Sequence, residues 1–431
     1  MKLLKLGTLR KGLIYPLNLL IYLFIRTIHT KILKKYIIGD SRPKNQSDIL
    51  LTMLMSLGEF LASFLKTFYK RKKKANKKNN FIQSFNYANL IFVVKKTRYK
   101  IGLIPLLLLL ILATFLDLSS YLVWIFISMY NNDFPDQLVM DLKYKIFQLF
   151  LATICCKIIL KKPIYQHHIF SIICSFFVVL IIFILDFALL INTEKIFKTS
   201  DYFLTLFFLI FTNLLFAVHE TLEKYLMDEV FINPFDLLRF EGIIGLILII
   251  PFFFIYFFVK CKSDHEDHSF NYCEYSFSNI FEYFRVRFDF DSKLRLFFVI
   301  LNYIIFTFES SLVNVYSVLN TKFFSPMYSS ICDSCMMPLT MIIYFIIDDK
   351  YKYPTILIID FIFYMPIIFL CLVFNEIILL KFWNLSHNTF DEISERARNK
   401  EILSLEDKND KTITDDDEIL PDETFQNSAF Y

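Results

Sequence analysis

Four acidic side chains lie near the middle of long apolar stretches, where a charge needs a specific reason to be present. A charged side chain inside a membrane-spanning helix costs roughly 2.5–3.5 kcal/mol on insertion scales, so it faces a polar cavity or a partner. Carboxylates in such positions bind cationic groups, exchange protons or pair with a neighbouring helix. These candidates for the lining of a polar path are Glu59, Asp117, Glu309 and Asp333.

A polar stretch around Asp333 supplies further candidates. Residues 310–334 are rich in hydroxyl and amide side chains, although the stretches beside them are apolar. Helices decorated in this way either pack through interhelical hydrogen bonds or line a water-filled path, and both interpretations remain open. The additional cavity candidates in this stretch are Asn314, Asn320, Lys322 and Ser334.

The motifs of the common enzyme classes do not occur in the sequence. We find no G-x-S-x-G, no H-E-x-x-H, no Walker loop and no glycine-rich dinucleotide turn. The C-x-x-C of Cys332 and Cys335 has no second pair, so it does not have the spacing of a zinc site. We therefore predict neither an enzyme nor a resident metal or cofactor. The nearest approaches to metal ligands are His167 with His168, and His265 with His268.

The composition places the chain among membrane proteins. Apolar residues make up 56% of the 431 residues, and the mean hydropathy is +0.49. Soluble domains are about 45–50% apolar. The excess gathers in stretches of about twenty residues, which span about 30 Å of hydrocarbon when helical. We predict an all-α membrane protein with ten transmembrane helices at 12–28, 49–67, 101–128, 138–158, 166–190, 202–219, 236–259, 294–318, 326–347 and 355–380.

The charges of the segments between these helices predict which side of the membrane each segment faces. Residues 67–100 hold eleven Lys/Arg and no acid, which indicates a cytoplasmic loop under the positive-inside rule rather than a nucleic-acid site. Residues 382–431 hold thirteen Asp/Glu against five Lys/Arg, which is typical of a disordered tail. Both termini are therefore predicted to be cytoplasmic. The corresponding segments are a cytoplasmic N-terminus at 1–11, cytoplasmic loops that include 219–235, a luminal loop at 260–292 and an acidic tail at 381–431.

Several short motifs follow one another in the order of a known transporter family. They occur in the second predicted helix, between the sixth and seventh helices, and from the eighth helix to the ninth. In these segments the chain resembles the drug/metabolite transporter superfamily, specifically the nucleotide-sugar-transporter-like solute carrier 35 group, F-type branch. Basic residues of that family's ninth helix are replaced by Ser329 and Met336 or Met337. The matching segments are Gly58-Glu59, Glu223-Lys224, Asn233-Pro234, Glu241-Gly242, Asn320-Thr321-Lys322 and Asp333-Ser334.

The resemblance implies two inverted five-helix repeats, at about 12–190 and 202–380. It implies a secondary transporter that works by alternating access around a midplane site, in a vacuolar, lysosomal or Golgi membrane. The expected partners are membrane lipid and a small organic solute, and not nucleic acid. Proton coupling, the identity of the solute and the oligomeric state stay open. The alternative is a non-transporting membrane scaffold or receptor that acts through the acidic tail.

Overall fold

Helices make up almost all of the described structure. The computed structural model describes residues 17–29, 49–74, 92–93, 100–130, 144–162, 164–193, 199–258, 293–323, 325–327, 329–330, 332, 336, 354–374, 380 and 396. Within these residues, a two-stranded antiparallel pair joins β1 (Phe92–Val93) to β2 (Lys100–Ile101). The nine long helices of the described part are α1 (Leu17–His29), α2 (Ile49–Lys74), α3 (Leu103–Tyr130), α4 (Ile146–Ile159), α5 (Gln166–Thr193), α6 (Thr199–Asp228), α7 (Pro234–Phe258), α8 (Lys293–Phe323) and α9 (Pro354–Phe374).

Four of these helices are long and apolar enough to cross a membrane, within the part of the chain that the structure describes. Large apolar side chains on the helix surfaces are exposed, among them Ile104 at 73% and Phe207 at 62%. Exposure on this scale is unfavourable in water and natural in lipid. The chain is a helical membrane protein, as predicted. The four spans are Leu103–Val123, Gln166–Leu185, Phe203–Asp228 and Leu296–Phe323.

Sequence and structure agree on the cores of most helices and differ at several ends. α2 runs on to Lys74, well into the segment predicted as a cytoplasmic loop. The fourth helix begins at Ile146, inside its predicted range of 138–158. The predicted ninth helix, 326–347, lies mostly outside the described residues. Of its described residues, those in helical conformation are 326, 327, 329, 330, 332 and 336.

The segment 219–235 differs most from its prediction. α6 continues to Asp228, and only a short connection separates it from α7. The additional turns bury Glu220, Glu223 and Lys224, which are 6%, 3% and 4% exposed. The predicted helix ended where hydropathy fell, but neighbouring helices accommodate these charges. The prediction of a cytoplasmic loop over 219–228 is therefore wrong.

A tight connection turns the chain from α6 into α7. The backbone N–H of Ile232 donates to the Leu226 carbonyl at 3.1 Å, and that of Val230 donates to the Tyr225 carbonyl at 3.4 Å. Between them, Phe231 has a φ of +64°, a left-handed conformation that is uncommon for a residue with a side chain. The connection therefore has a defined shape and fixes how α7 leaves α6.

The start of α7 explains one of the family-like motifs. The side-chain oxygen of Asn233 accepts a 3.1 Å hydrogen bond from the backbone N–H of Phe235, so Asn233 caps the helix. Pro234 follows at the first helical position, where its fixed φ suits the helix and its missing N–H leaves no bond unmade. The Asn-Pro pair thus sets the point at which α7 begins.

The helices fall into two compact units. The first unit comprises Met1–Leu160 and Ile196–Lys352, and the second comprises Lys161–Lys195 and Tyr353–Tyr431. In the first unit, α2 packs against α7 and α8, and α6 packs against α3 and α4. In the second unit, α5 packs against α9. Each unit draws helices from both of the predicted repeats.

Two glycines allow close contact between helices of the first unit. A Cβ on Gly242 of α7 would lie 2.8 Å from the Ser56 carbonyl oxygen and 2.8 Å from the Cα of Phe60, both on α2. A Cβ on Gly58 of α2 would lie 2.9 Å from the Thr307 carbonyl oxygen on α8. Small residues at such crossings let backbones approach closely, which favours helix association in lipid. The family-like Gly58 and Gly242 therefore hold α2 between α7 and α8.

Candidate functional site

The additional turns of α6 carry two ionisable side chains on one face. His219 and Glu223 are four residues apart, a spacing that places side chains one above the other on a helix. His219 Nε2 lies 3.9 Å from Glu223 Oε1, and the two side chains are 12% and 3% exposed. Both groups are thus inside the protein, on a polar face at the end of an otherwise apolar helix.

α7 adds a carboxylate to the same point. Glu241 Oε1 lies 3.6 Å from His219 Nε2, and the Glu241 side chain is 5% exposed. Neither of these two atoms has a hydrogen-bond partner within the described residues. The short connection between α6 and α7 determines this approach, because it fixes where α7 starts relative to His219.

α3 supplies an acid to the other side of the same imidazole. Asp117 Oδ1 lies 3.8 Å from His219 Nδ1, and its side chain is 18% exposed. Lys145 interacts electrostatically with Asp117, and its Nζ lies 4.4 Å from the centre of the Phe216 ring. The histidine is therefore flanked by carboxylates on both ring nitrogens.

α2 completes the group with Glu59. Asn314 of α8 donates a 3.1 Å hydrogen bond from Nδ2 to Glu59 Oε1, so two of the predicted cavity residues are in contact. Glu59 also interacts electrostatically with four other ionisable residues on α3, α6 and α7. We call the resulting group the central cluster. Its members are Glu59, Asp117, His219, Glu223 and Glu241.

The central cluster carries more acidic than basic groups. Four carboxylates surround one imidazole, and Lys145 adds a cation next to Asp117. Uncompensated charge in a low-dielectric interior costs several kcal/mol per ion. Binding of protons, a cationic solute or a metal ion would offset this excess of acid. Its electrostatic character is that of a cation-binding site.

Lys224 contacts a different part of the protein, although it follows Glu223 in the sequence. Its Nζ donates a 2.6 Å hydrogen bond to the backbone carbonyl of Lys322 near the end of α8, and it pairs with Asp228 Oδ2 at 3.0 Å. A cation is favourable at the last carbonyls of a helix, which carry partial negative charge. Lys224 therefore joins α6 to α8. Lys322, predicted as cavity lining, provides its backbone carbonyl to this contact.

Replacing Lys224 by methionine is expected to destabilise the protein by about 1.5–3 kcal/mol, because a buried charge-assisted hydrogen bond is lost. Thermal unfolding of the purified protein in detergent measures the effect. Lys322→Met is the matched control, since only the backbone carbonyl of Lys322 takes part, and its unfolding temperature should stay close to that of the wild type. Equal stability of the two variants would contradict this role for Lys224.

The other predicted cavity residues lie away from the central cluster or outside the described residues. Glu309 Oε2 is 2.8 Å from His29 Nδ1, so it forms a separate pair between α8 and α1. Asn320 is fully buried, with its Nδ2 4.0 Å from Cys332 Sγ. The structure therefore brings together only part of the predicted set. Outside the described residues lie Asp333 and Ser334.

Sequence reasoning missed His219, the residue at the centre of the cluster. The predicted sixth helix ended there, so the side chain counted as the start of a loop. The signal was His219-Glu220-Thr221-Leu222-Glu223, which places a histidine and a glutamate on one helical face if the helix continues. Glu223 and Glu241 were identified only as family-like motif residues.

Comparison with known proteins does not assign the chain to a family. The transporter family named above therefore stays a resemblance, and the central cluster inside a helical membrane protein carries the functional argument. The chain matches no protein-family model and no curated protein.

Proposed function

We propose that the protein is a secondary transporter that moves small organic solutes across an internal membrane by alternating access. The observation that carries the proposal is the central cluster, which four helices hold together inside a membrane protein. Of these helices, α2 and α3 come from the first predicted repeat, and α6 and α7 come from the second. A site built from both repeats suits alternating access, because the repeats can then move around a bound solute.

The packing of the helices supports two repeats related by a shift of five helices. Under that relation α1 corresponds to α6, α2 to α7 and α3 to α8. The contact of α3 with α7 then corresponds to that of α8 with α2, and both pairs are packed together. The contact of α6 with α3 corresponds to that of α1 with α8, where the rings of Tyr22 and Tyr316 stack at 5.3 Å. α2 and α7, which correspond to each other, also pack together.

Corresponding helix pairs also carry similar polar contacts. Between α6 and α3, His219 Nδ1 lies 3.8 Å from Asp117 Oδ1. Between α1 and α8, His29 Nδ1 lies 2.8 Å from Glu309 Oε2. Asp117 and Glu309 both stand close to the middle of their helices. A histidine–carboxylate pair at each of two corresponding contacts between the halves is a feature that two related repeats would produce.

The charge of the central cluster favours a cationic or zwitterionic solute over an anion. Its four carboxylates attract positive charge and outnumber the cation that Lys145 supplies next to Asp117. Ser329 and Met336 or Met337 stand where the resembled family carries basic residues, and Ser329 and Met336 are buried. The same carboxylates and histidine are able to carry protons, so a proton gradient is our proposed driving force. The membrane is proposed to be vacuolar, lysosomal or Golgi, with both termini in the cytoplasm.

Reconstituted in liposomes, the purified protein is expected to take up organic cations from a panel that also contains amino acids and nucleotide sugars. Uptake should saturate with concentration, exceed that of protein-free liposomes and increase when an opposing proton gradient is imposed. Uptake of nucleotide sugars alone would contradict the cationic preference. Failure of the folded protein to take up any compound on the panel would count against the transporter.

A truncated chain is the control for the scaffold or receptor alternative. Removing residues 385–431 deletes most of the acidic tail and leaves α1 to α9 in place. A transporter should keep its uptake rate after this deletion. Dependence of the rate on the tail would instead favour a protein whose activity resides in that segment.

A further inference from the structure

We propose that His219, Glu223 and Glu241 bind a divalent transition-metal ion, with zinc as the best-suited ion. Within the described residues, they form the one group of three His, Cys, Asp or Glu side chains whose ligand atoms all lie within 4.8 Å of one another. Two ligands come from one face of α6 and the third comes from α7. This assignment goes beyond transport, because it depends on the ligands alone and not on any solute.

The distances fit a site that closes slightly around an ion. Ligand atoms about 2.0–2.2 Å from a tetrahedral zinc ion lie about 3.3–3.6 Å apart. His219 Nε2 is 3.6 Å from Glu241 Oε1 and 3.9 Å from Glu223 Oε1. Small side-chain rotations therefore bring all three atoms to zinc-ligand distance. One imidazole and two carboxylates are a suitable zinc donor set, and they leave a fourth position for water or a solute group.

Two of the three ligand atoms are buried without a hydrogen-bond partner in the described part of the chain. They are His219 Nε2 and Glu241 Oε1, which face each other. A buried polar atom that is left unsatisfied is costly, and native structures contain few of them. A metal ion between the two atoms satisfies both at once. The absence of a hydrogen bond at these two atoms is thus an observation independent of the clustering of acids.

Asp117 is placed where it can give the outer contact that metal-binding histidines typically have. Its Oδ1 lies 3.8 Å from His219 Nδ1, on the ring nitrogen opposite the proposed ion. At 3.8 Å the two atoms are slightly beyond hydrogen-bond distance, and a small movement of either side chain would let the Asp117 carboxylate accept from Nδ1–H, orient the ring and direct the Nε2 lone pair at the metal. In this arrangement Glu223 and Glu241 bind the ion on one side of the His219 ring, and Asp117 orients the ring from the other side.

The sequence-based metal candidates are weaker than this group. The rings of His167 and His168 pack against each other with centroids 4.1 Å apart, and His168 also packs against Phe374 at 4.5 Å. These are aromatic contacts, and the two histidines belong to no group of three ligands in the described residues. The pair His265 and His268 lies outside the described residues. The proposal therefore departs from the sequence-based prediction of no resident metal.

Zinc titration of the full chain in detergent, after removal of metals with a chelator, tests the proposal. Isothermal titration calorimetry should show one zinc ion per chain, and cobalt(II) absorption should report coordination by nitrogen and oxygen. Asp117→Asn should weaken zinc binding by about 10–100-fold, since it leaves all three direct ligands in place and alters the carboxylate next to His219. His219→Ala should weaken binding by more than about 100-fold, because it removes a direct ligand.

Glu220→Gln is the matched control for these variants. Glu220 is a neighbouring buried acid on α6, but its Oε2 accepts a 3.3 Å hydrogen bond from Ser330 and lies outside the proposed ligand set. This variant should bind zinc like the wild type. Zinc should also raise the unfolding temperature of the wild type and not that of Glu241→Gln.

No zinc binding by the folded wild type, or equal affinity in the wild type, Asp117→Asn and Glu241→Gln, would overturn the metal site. If His219→Ala does not fold, the two conservative variants still decide the outcome. An uptake assay in metal-free liposomes tests the transport proposal separately. If the protein transports solute but does not bind zinc, only the metal-site proposal is rejected.

Discussion

Substitution of Gly242 by alanine is expected to destabilise the protein by about 3 kcal/mol or more, at the upper end of the range for inserting a methyl group into a packed interior. The added Cβ would lie 2.8 Å from the Ser56 carbonyl oxygen and 2.8 Å from the Cα of Phe60. Both are backbone atoms of α2 and cannot rotate away. α2 and α7 would have to separate, and thermal unfolding in detergent measures the loss of stability.

Two other glycines provide graded controls for this prediction. In Gly58→Ala, the new Cβ would lie 2.9 Å from the Thr307 carbonyl oxygen, so a clear but smaller loss of stability is expected. In Gly102→Ala, the nearest heavy atom is Pro105 Cδ at 3.6 Å, an ordinary contact, so the unfolding temperature should stay near that of the wild type. The same stability for the Gly242 and Gly102 variants would show that α2 and α7 are not in close contact.

Glu59→Gln and Glu241→Gln are expected to reduce uptake in liposomes to the level of protein-free vesicles. Each variant keeps the size of the side chain and removes one carboxylate from the central cluster, where the low dielectric makes each charge count strongly toward a bound cation. The amount of folded protein should remain near that of the wild type, because the cluster has an excess of acid. Uptake and detergent size-exclusion profiles are measured on the same preparations.

Glu220→Gln is again the matched control, since Glu220 is a buried acid on α6 bonded to Ser330. Its uptake should match that of the wild type. An equal loss of uptake in all three variants would indicate a general effect of removing buried charge. Full uptake in Glu59→Gln and Glu241→Gln would exclude the central cluster as the solute site.

The apolar pattern was sufficient to predict most helix cores, because lipid requires about twenty apolar residues per span. It failed for the end of α6, where the helix continues through Glu220, Glu223 and Lys224. Hydropathy treats such residues as solvent-exposed, whereas here Ser330 bonds to Glu220 and the Lys322 carbonyl bonds to Lys224. Those partners are more than ninety residues away in the chain, so a local window does not contain the information.

The sequence predicts those residues of the candidate site that are charged and lie inside an apolar stretch. Glu59 and Asp117 followed from this argument, and the structure places both in the central cluster. Glu309 satisfied the same criterion but pairs with His29. Which of several buried acids meet depends on helix packing, to which the close contacts at Gly58 and Gly242 contribute. His219 escaped detection because the predicted sixth helix ended at this residue, and two of its partners, Asp117 and Glu241, lie on other helices.

The short connection between α6 and α7 has a consequence for how the protein is made. His219, Glu223 and Glu241 all lie on this one helical hairpin, and its turn is shaped locally at Phe231 and Asn233. Short loops close at little entropic cost and local contacts form early. These three side chains can therefore come together as soon as the hairpin enters the membrane during synthesis, before α8 exists to pack against it.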